Sequence, residues 1–225
     1  MSSKTHEADS MLQAINDDVA LTRRQTGRDA LAPAVIDALR RVPRHAFVDD
    51  DLKDHAYDNR PLPIGRGQTI SQPFIVALMT ELAEVGKGAR VLEVGTGSGY
   101  QCAVLAELAD EVYSVEIVPE LAENAARRLK SLGYRNVSTK FGDGYEGWPD
   151  KAPFDAIIVT AATPLIPPPL IEQLKPGGRL VLPLGQPHFS QELVLLRKNA
   201  HGEIETHNIL PVAFVPLTGQ HARGD

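Results

Sequence analysis

Apolar positions follow three successive rhythms along the chain. Met11-Leu12, Ile15 and Val19 recur at helical spacing, and Val35, Ile36 and Leu39 do so again after Pro33, whose fixed φ suits a first turn. Residues 11–60 are therefore expected to be helical, with Pro43 ending the second helix. The polar run before them, residues 1–10 (MSSKTHEADS), reads as a disordered tail. From residue 90 the rhythm changes to short β-branched runs: RVLEV (90–94), EVYSVE (111–116), NVSTKF (136–141) and FDAIIVT (154–160). YQCAVLAELA separates the first two, and PELAENAARRLKSLG, with Pro119 at its start and Gly133 as its C-cap, separates the next two. Strands alternating with helices imply a parallel sheet covered by helices. Farther on, RLVLPLG (179–185) reads as one more strand, and QELVLLRK and EIETHNIL flank NAHG as an antiparallel hairpin. The expected architecture is α/β: a mostly parallel sheet, an antiparallel C-terminal hairpin and added N-terminal helices.

Composition narrows this without changing it. At 225 residues, 43% of them hydrophobic, the chain holds enough apolar material for one large domain. Residues 11–225 are read as that domain, with a helical and loop region over 11–88 and the sheet-based core over 89–225. The net charge of −6 and the absence of a basic run argue against a nucleic-acid surface. Arg40, Arg41 and Arg44 are expected on a solvated helix end, where they complement the dipole. The single cysteine, Cys102, allows neither a disulfide framework nor a cysteine metal cluster and reads as a small packing residue. Seven scattered histidines make no metal-binding pattern, so no metal is expected. No apolar run is long enough for a membrane span, and the first residues lack a signal-peptide core. A cytoplasmic, reduced setting without membrane association is the default expectation, and so is a monomer.

The most informative run is Glu93-Val94-Gly95-Thr96-Gly97-Ser98-Gly99, between a strand and a helix. Glycines there let the backbone turn sharply and approach a ligand. The spacing is G-x-G-x-G rather than the G-x-G-x-x-G of dinucleotide sites, and Glu93 would sit poorly beside a pyrophosphate but well near a cation. Glu116 ends the next strand, roughly 20 residues on, where an acid accepts hydrogen bonds from ribose hydroxyls. Asp143, before Gly144, follows the third strand, where an acceptor would meet an adenine amino group. Three acids at three successive strand ends suit S-adenosylmethionine better than a nicotinamide dinucleotide. Asp155, opening the fourth strand, reads as structural.

Upstream lies GQTISQP (67–73), uncharged and nearly free of apolar surface. On its own terms Ser71 reads as the N-cap of a helix that begins with Pro73 and carries Phe74, Leu78 and Leu82 down one face.

The runs RVPRHAFVDD, LPIGRGQTISQPFIVALMTELAEV, RVLEVGTGSGYQCAVLAELADEVYSVE, NVSTKFGDGYEGW, APFDAIIVTAA, LKPGGRLVLPLG and FVPLTG resemble the protein-L-isoaspartate O-methyltransferases, from about residue 40 to residue 219. The glycine loop and GDG are shared by many methyltransferases; TISQP upstream of them, with FDAIIVTAA and FVPL downstream, is more specific. The resemblance implies a Rossmann-like S-adenosylmethionine-dependent methyltransferase fold. It implies methylation of the free α-carboxylate of L-isoaspartyl residues in damaged proteins and peptides, followed by succinimide formation and repair. It places the active-site hydroxyl on Ser71, cofactor contacts on Thr69, Ser71, Gln72, Glu93, Gly95, Thr96, Gly97, Glu116, Asp143, Gly144 and Thr218, and substrate contacts on Ile70 and Ser71. The alternatives are a methyltransferase of this fold acting on a small-molecule carboxylate, and an inactive cofactor-binding protein.

The chemistry suits the sequence. A carboxylate with a reference pKa of about 3.3–3.9 is already ionised at neutral pH and needs no general base. What it needs is neutral donors that orient it, since an arginine clamp would also stabilise the ground state.

Overall fold

The structure, a computed structural model, describes residues 3–186 and 189–219. The first helix, α1, spans Ser3–Thr26, so the expectation of a disordered stretch over residues 1–10 fails from Ser3 onward. Ala8 extends the apolar stripe of Met11, Leu12, Ile15 and Val19 by one turn into the core. Lys4 adds a tie, donating to Glu7 and to the carbonyl of Lys53. Helix α2, Pro33–Arg41, follows the expected Pro33 start. Arg40 and Arg41 lie in its last turn, exposed and paired with acids. Arg44 departs from expectation. It lies on a short 3-10 turn beyond Pro43, Arg44–Phe47, and is 0% exposed. The chain bends at Pro43 and turns this side chain inward, so it is not part of a solvated helix end.

A two-stranded ribbon, β1 (Leu62–Pro63) and β2 (Thr69–Ile70), leads into helix α3 (Pro73–Ala83). The β-strands of the main sheet are β3 (Arg90–Val94), β4 (Glu111–Glu116), β5 (Val137–Phe141), β6 (Phe154–Val159), β7 (Leu174–Leu184), β8 (Gln191–Lys198) and β9 (Ile204–Val212). Helices α4 (Tyr100–Ala106), α5 (Pro119–Ser131) and α6 (Pro168–Glu172) connect them. The sheet order is β5-β4-β3-β6-β7-β8-β9, parallel from β5 to β7 and antiparallel over β8 and β9. This is the α/β architecture expected from the hydrophobic pattern. Strand β7 begins at Leu174 rather than at Arg179, because Leu174 pairs with Phe154 before a shift in register.

Alternation along the strands sends residues to two cores. Val91, Val112, Ile158 and Val181 face one core, shared with Ile15, Leu39, Phe47 and Leu78 of the N-terminal region. Leu92, Tyr113, Ile157 and Leu180 face the other. Helix α3 is buried almost throughout, which explains why PFIVALMTELA is apolar on nearly every side. Cys102 is fully buried within the first core. Asp155 accepts the backbone N–H of Arg90 at 2.7 Å and pairs with Lys175, a structural role at the N-terminal edge of the strands. The strand order reverses between β3 and β6, and in open α/β sheets the crevice at the carboxyl ends of such strands is where ligands bind.

Candidate active site

The floor of that crevice is the turn after β3. Gly95 has φ +94°, and a Cβ there would collide with the Thr160 hydroxyl, which in turn bonds the Gly95 carbonyl at 2.7 Å. Gly97 differs: a Cβ on it would meet only Ile64, at 3.4 Å. The first glycine is therefore required by the adjacent strand, and the second leaves room above the loop for a ligand.

Glu93 lies under this turn and is 0% exposed. A chain of hydroxyls reaches it, with Thr96 and Ser114 2.6 Å apart and Ser114 donating to Glu93 Oε2. Glu93 Oε1 has no hydrogen-bond partner, and the neighbouring Cys102 thiol, pushed up by burial and by Glu93 itself, is at most a weak donor to it. Burial pushes Glu93 up to about 8, with the Ser114 bond pulling the other way. Glu116, 6% exposed at the end of β4, accepts from Gly97 N at 2.7 Å with one oxygen and from Val118 N at 2.9 Å with the other. Each oxygen keeps a lone pair for another donor. Asp143 caps the short turn Gly144–Glu146 by accepting from Tyr145 N at 3.0 Å.

Two segments close over this floor. The first is the β1–β2 ribbon, whose turn has positive φ at Gly65, Arg66 and Gly67 and is clasped by the Arg66–Glu120 ion pair. Past Ile70 the chain is held from behind: Arg44 Nη2 donates to the Ser71 carbonyl at 2.8 Å and Arg44 Nε to the Ala56 carbonyl at 2.8 Å. Asp18 on α1 accepts from Asn59 and, at 3.3 Å, from Gln72, and Asn59 in turn caps the Phe74 N–H at 3.0 Å. Gln72 rather than Ser71 holds the N-cap position of α3, and it makes no side-chain cap bond. The hydroxyl of Ser71 is thus not used as a cap.

The second segment is Phe214–Gly219. The buried amide of Gln191 accepts from Phe214 N at 2.7 Å and donates to Phe214 O at 3.1 Å, completing a backbone-like pair. Ala162 then brackets the strap, donating to Val215 O at 2.8 Å and accepting from Leu217 N at 2.7 Å.

The result is a cleft of about 730 Å³, counting its open mouth. Thr69, Ile70, Ser71, Glu93, Gly95, Thr96, Gly97, Glu116, Gly144 and Thr218 of the expected site all line it. Thr96 does so without its hydroxyl, which points down to Ser114. Asp143 does not line it; it opens on a side pocket with Tyr145, Leu165 and Gly219, joined to the cleft at Thr218 and Leu217. Gln72 is also outside, its amide turned to Asp18. Ser71 and Thr69 border both the cleft and a neighbouring open groove lined by Pro61, Ile75, Thr160 and Pro211–Val215. Sequence reasoning missed Thr160, Gln68, Ser98, Ile117 and the strap residues before Thr218 as cleft residues. Thr160, one residue past the end of β6 at the switch point, had a usable signal in its position alone. Among the described residues no group of three His, Cys, Asp or Glu is disposed to hold a metal.

A methyl donor with a cationic sulfur, an amino group and a ribose fits these residues. Glu93 carries an unpartnered buried oxygen, Glu116 has acceptor capacity left, and Gly97 lines the cleft between them.

The sequence model of the family described as Protein-L-isoaspartate(D-aspartate) O-methyltransferase (PCMT) matches residues 16–222. The chain is 58% identical over 211 residues to protein-L-isoaspartate O-methyltransferase 2 of Syntrophobacter fumaroxidans, covering 94% of this chain and 85% of that one. It is also 58% identical over 210 residues to the protein of the same name from Polaromonas sp., covering 93% of this chain and 100% of that one. A solved structure described as a protein-L-isoaspartate O-methyltransferase superposes with a TM-score of 0.82 at 28% identity, over 94% of this chain and 66% of that chain. A Plasmodium falciparum structure, in complex with S-adenosyl-L-homocysteine, shares the fold with a TM-score of 0.73 at 23% identity, over 92% of this chain and 97% of that chain.

Proposed function

The chain belongs to the protein-L-isoaspartate(D-aspartate) O-methyltransferase family, and from that premise we infer that it methylates the free α-carboxylate of L-isoaspartyl residues in damaged proteins and peptides, with S-adenosylmethionine as donor. When bound, S-adenosylmethionine supplies an electrophilic methyl group on a cationic sulfur, which a carboxylate displaces without any proton transfer. The ester so made cyclises with loss of methanol to a succinimide, whose hydrolysis returns some normal aspartate.

The observation that carries the reading is the position of Ser71 between the acid-floored cleft and the open groove beside it. A donor held in the first and a peptide lying in the second would meet there. The Ser71 hydroxyl, not needed as a helix cap, orients the incoming carboxylate, and Ile70 and Thr69 shape the junction. Neutral donors suit this step: they align an anion that is already ionised without stabilising its ground state as a cation would. In the cleft, Glu93, which burial keeps protonated in the ligand-free protein, would ionise on taking the positive end of the methionine moiety, and Glu116 takes ribose hydroxyls while it holds the Gly97 turn. Asp143, beyond the cleft in its side pocket, is assigned to the adenine edge together with Thr218. The loop and strap wall the cleft on two sides, which would limit the water that solvates the two opposite charges neutralised in the reaction.

No helix among the described residues is long and apolar enough to cross a membrane. A cytoplasmic enzyme that works as a monomer on protein and peptide substrates is the finer reading, and it rests on the sequence alone, whose single cysteine leaves no disulfide to form within the chain. The shared core of the N-terminal helices and the sheet supports treating the two regions as one methyltransferase domain, with α1 included from Ser3 rather than from residue 11.

Ser71→Ala tests the assignment. It is expected to keep the fold and S-adenosylhomocysteine affinity while lowering kcat on an isoaspartyl peptide by about 10-fold or more, through loss of orientation of the nucleophile. Wild-type turnover in that variant would remove the hydroxyl from the mechanism.

A further inference from the structure

A buried guanidinium with no carboxylate partner is costly to keep, and an apolar side chain of similar length would fill the same space more cheaply. Arg44 is such a group. It is fully buried, and none of the ion pairs among the described residues includes it. Its contacts are two carbonyls, Ala56 and Ser71, and the face of Tyr100, 4.6 Å from the guanidinium carbon. Nη1 has no hydrogen-bond partner. Tyr100 itself lines the cleft, so the arginine lies between two pieces of the site's wall without reaching the ligand space.

We propose that Arg44 is the positioning residue of the Ser71 loop, acting through the Ser71 backbone to set where the hydroxyl stands, while Ala56 and the Tyr100 ring fix the guanidinium itself. The inference rests on the assignment of Ser71 to substrate orientation. Its physical basis is geometric. Arginine presents donors in a rigid planar fork, so two carbonyls bonded to one guanidinium are held at a fixed separation, which a flexible ammonium does not achieve. Ser71 lies in an irregular stretch between β2 and α3, and its carbonyl receives no other hydrogen bond among the described residues. Displacements of about 1 Å in a positioning element can cost on the order of 100-fold in rate. The donor side of the cleft is held separately, by Glu116 on Gly97, so the two halves of the site should respond differently.

The test uses the full chain with Arg44→Met and Arg44→Lys, each alone and combined with Ser71→Ala. Thermal melting, calorimetric binding of S-adenosylhomocysteine and steady-state methylation of an isoaspartyl peptide are measured for each. Arg44→Met is expected to lower kcat/KM for the peptide by about 10- to 100-fold while S-adenosylhomocysteine affinity stays within about 2-fold. Arg44→Lys is expected to recover only part of the loss, and it carries the test if the methionine variant does not fold. Because Arg44 acts through Ser71, the double variant should lose no more than the worse single one, a coupling that a merely structural role would not produce. Wild-type kcat/KM in the arginine variants, or losses of activity and S-adenosylhomocysteine affinity in parallel, or full additivity with Ser71→Ala, would overturn the inference. Silence of Ser71→Ala alone would count against the hydroxyl, and Arg44 would then be judged by the split between peptide kinetics and cofactor affinity.

Discussion

Glu116 and Gly97 are joined by a hydrogen bond of 2.7 Å, from the backbone N–H of the turn to the carboxylate at the end of the next strand. The same carboxylate takes Val118 N at 2.9 Å, so one acid fixes both the glycine turn and its own strand end. Glu116→Ala should weaken S-adenosylmethionine binding by about 1–3 kcal/mol, the worth of losing hydrogen bonds to a charged acceptor. Glu116→Gln, which keeps one oxygen acceptor, should lose less. Calorimetric titration checks both, and wild-type affinity in the alanine variant would contradict the ribose assignment.

The two glycines of the turn should respond to different degrees. Gly95→Ala places a Cβ against the Thr160 hydroxyl at φ +94° and should destabilise the fold, read as a lower melting temperature. Gly97→Ala meets only the Ile64 side chain, so its cost is the backbone strain of a non-glycine residue at φ +52°, and it should lower the melting temperature less than Gly95→Ala does. Equal melting losses in both would show that the second glycine is also required by the protein itself.

Gln191 should act at a distance from the chemistry. Gln191→Leu removes both bonds to the Phe214 backbone and frees the strap that carries Thr218. A stability loss of about 1–3 kcal/mol is expected from leaving the Phe214 N–H and carbonyl unpaired. Cofactor affinity should fall with it, and chemical denaturation alongside calorimetry would register both. An unchanged affinity would mean that the strap does not shape the cofactor cleft.

The pH dependence of the ligand-free protein should carry the signature of Glu93. Its folded-state value of about 8 lies above the ordinary 4.5, so between these values the native state holds a proton that the unfolded state has released. Stability from this group is fully present below about 4.5 and is lost as the pH rises toward 8. Glu93→Gln should flatten that slope in denaturant melts from pH 5 to 8, and an unaltered slope would show that Glu93 does not stay protonated.

Much of this was readable from the chain because local rules and tertiary structure agree in its central part. RVLEV and EVYSVE are the strands β3 and β4 to the residue, since β-branched runs bounded by turn residues had no competing helical period. Glu93, Glu116 and the glycine turn were legible for the same reason: position at a strand end fixes where a side chain stands. What escaped was set by contacts distant in sequence. Arg44 looked like one more basic residue after a helix, and only the bend at Pro43 buries it against Ser71 and Tyr100. Gln72 was expected at the cofactor, but it borders the neighbouring groove instead, and Asp18 of α1 accepts from its amide. The N-terminal ten residues looked too polar to order, yet Ala8 finds the core and Lys4 finds Lys53 O.

The central claim, methylation of an isoaspartyl carboxylate, is tested most directly with labelled S-adenosylmethionine and a matched pair of peptides that differ only in an isoaspartyl or an aspartyl linkage. The expected result is base-labile methyl ester on the isoaspartyl peptide alone, with the label reduced to background in the aspartyl control. Equal labelling of both peptides, or none of either while S-adenosylmethionine binds, would contradict it.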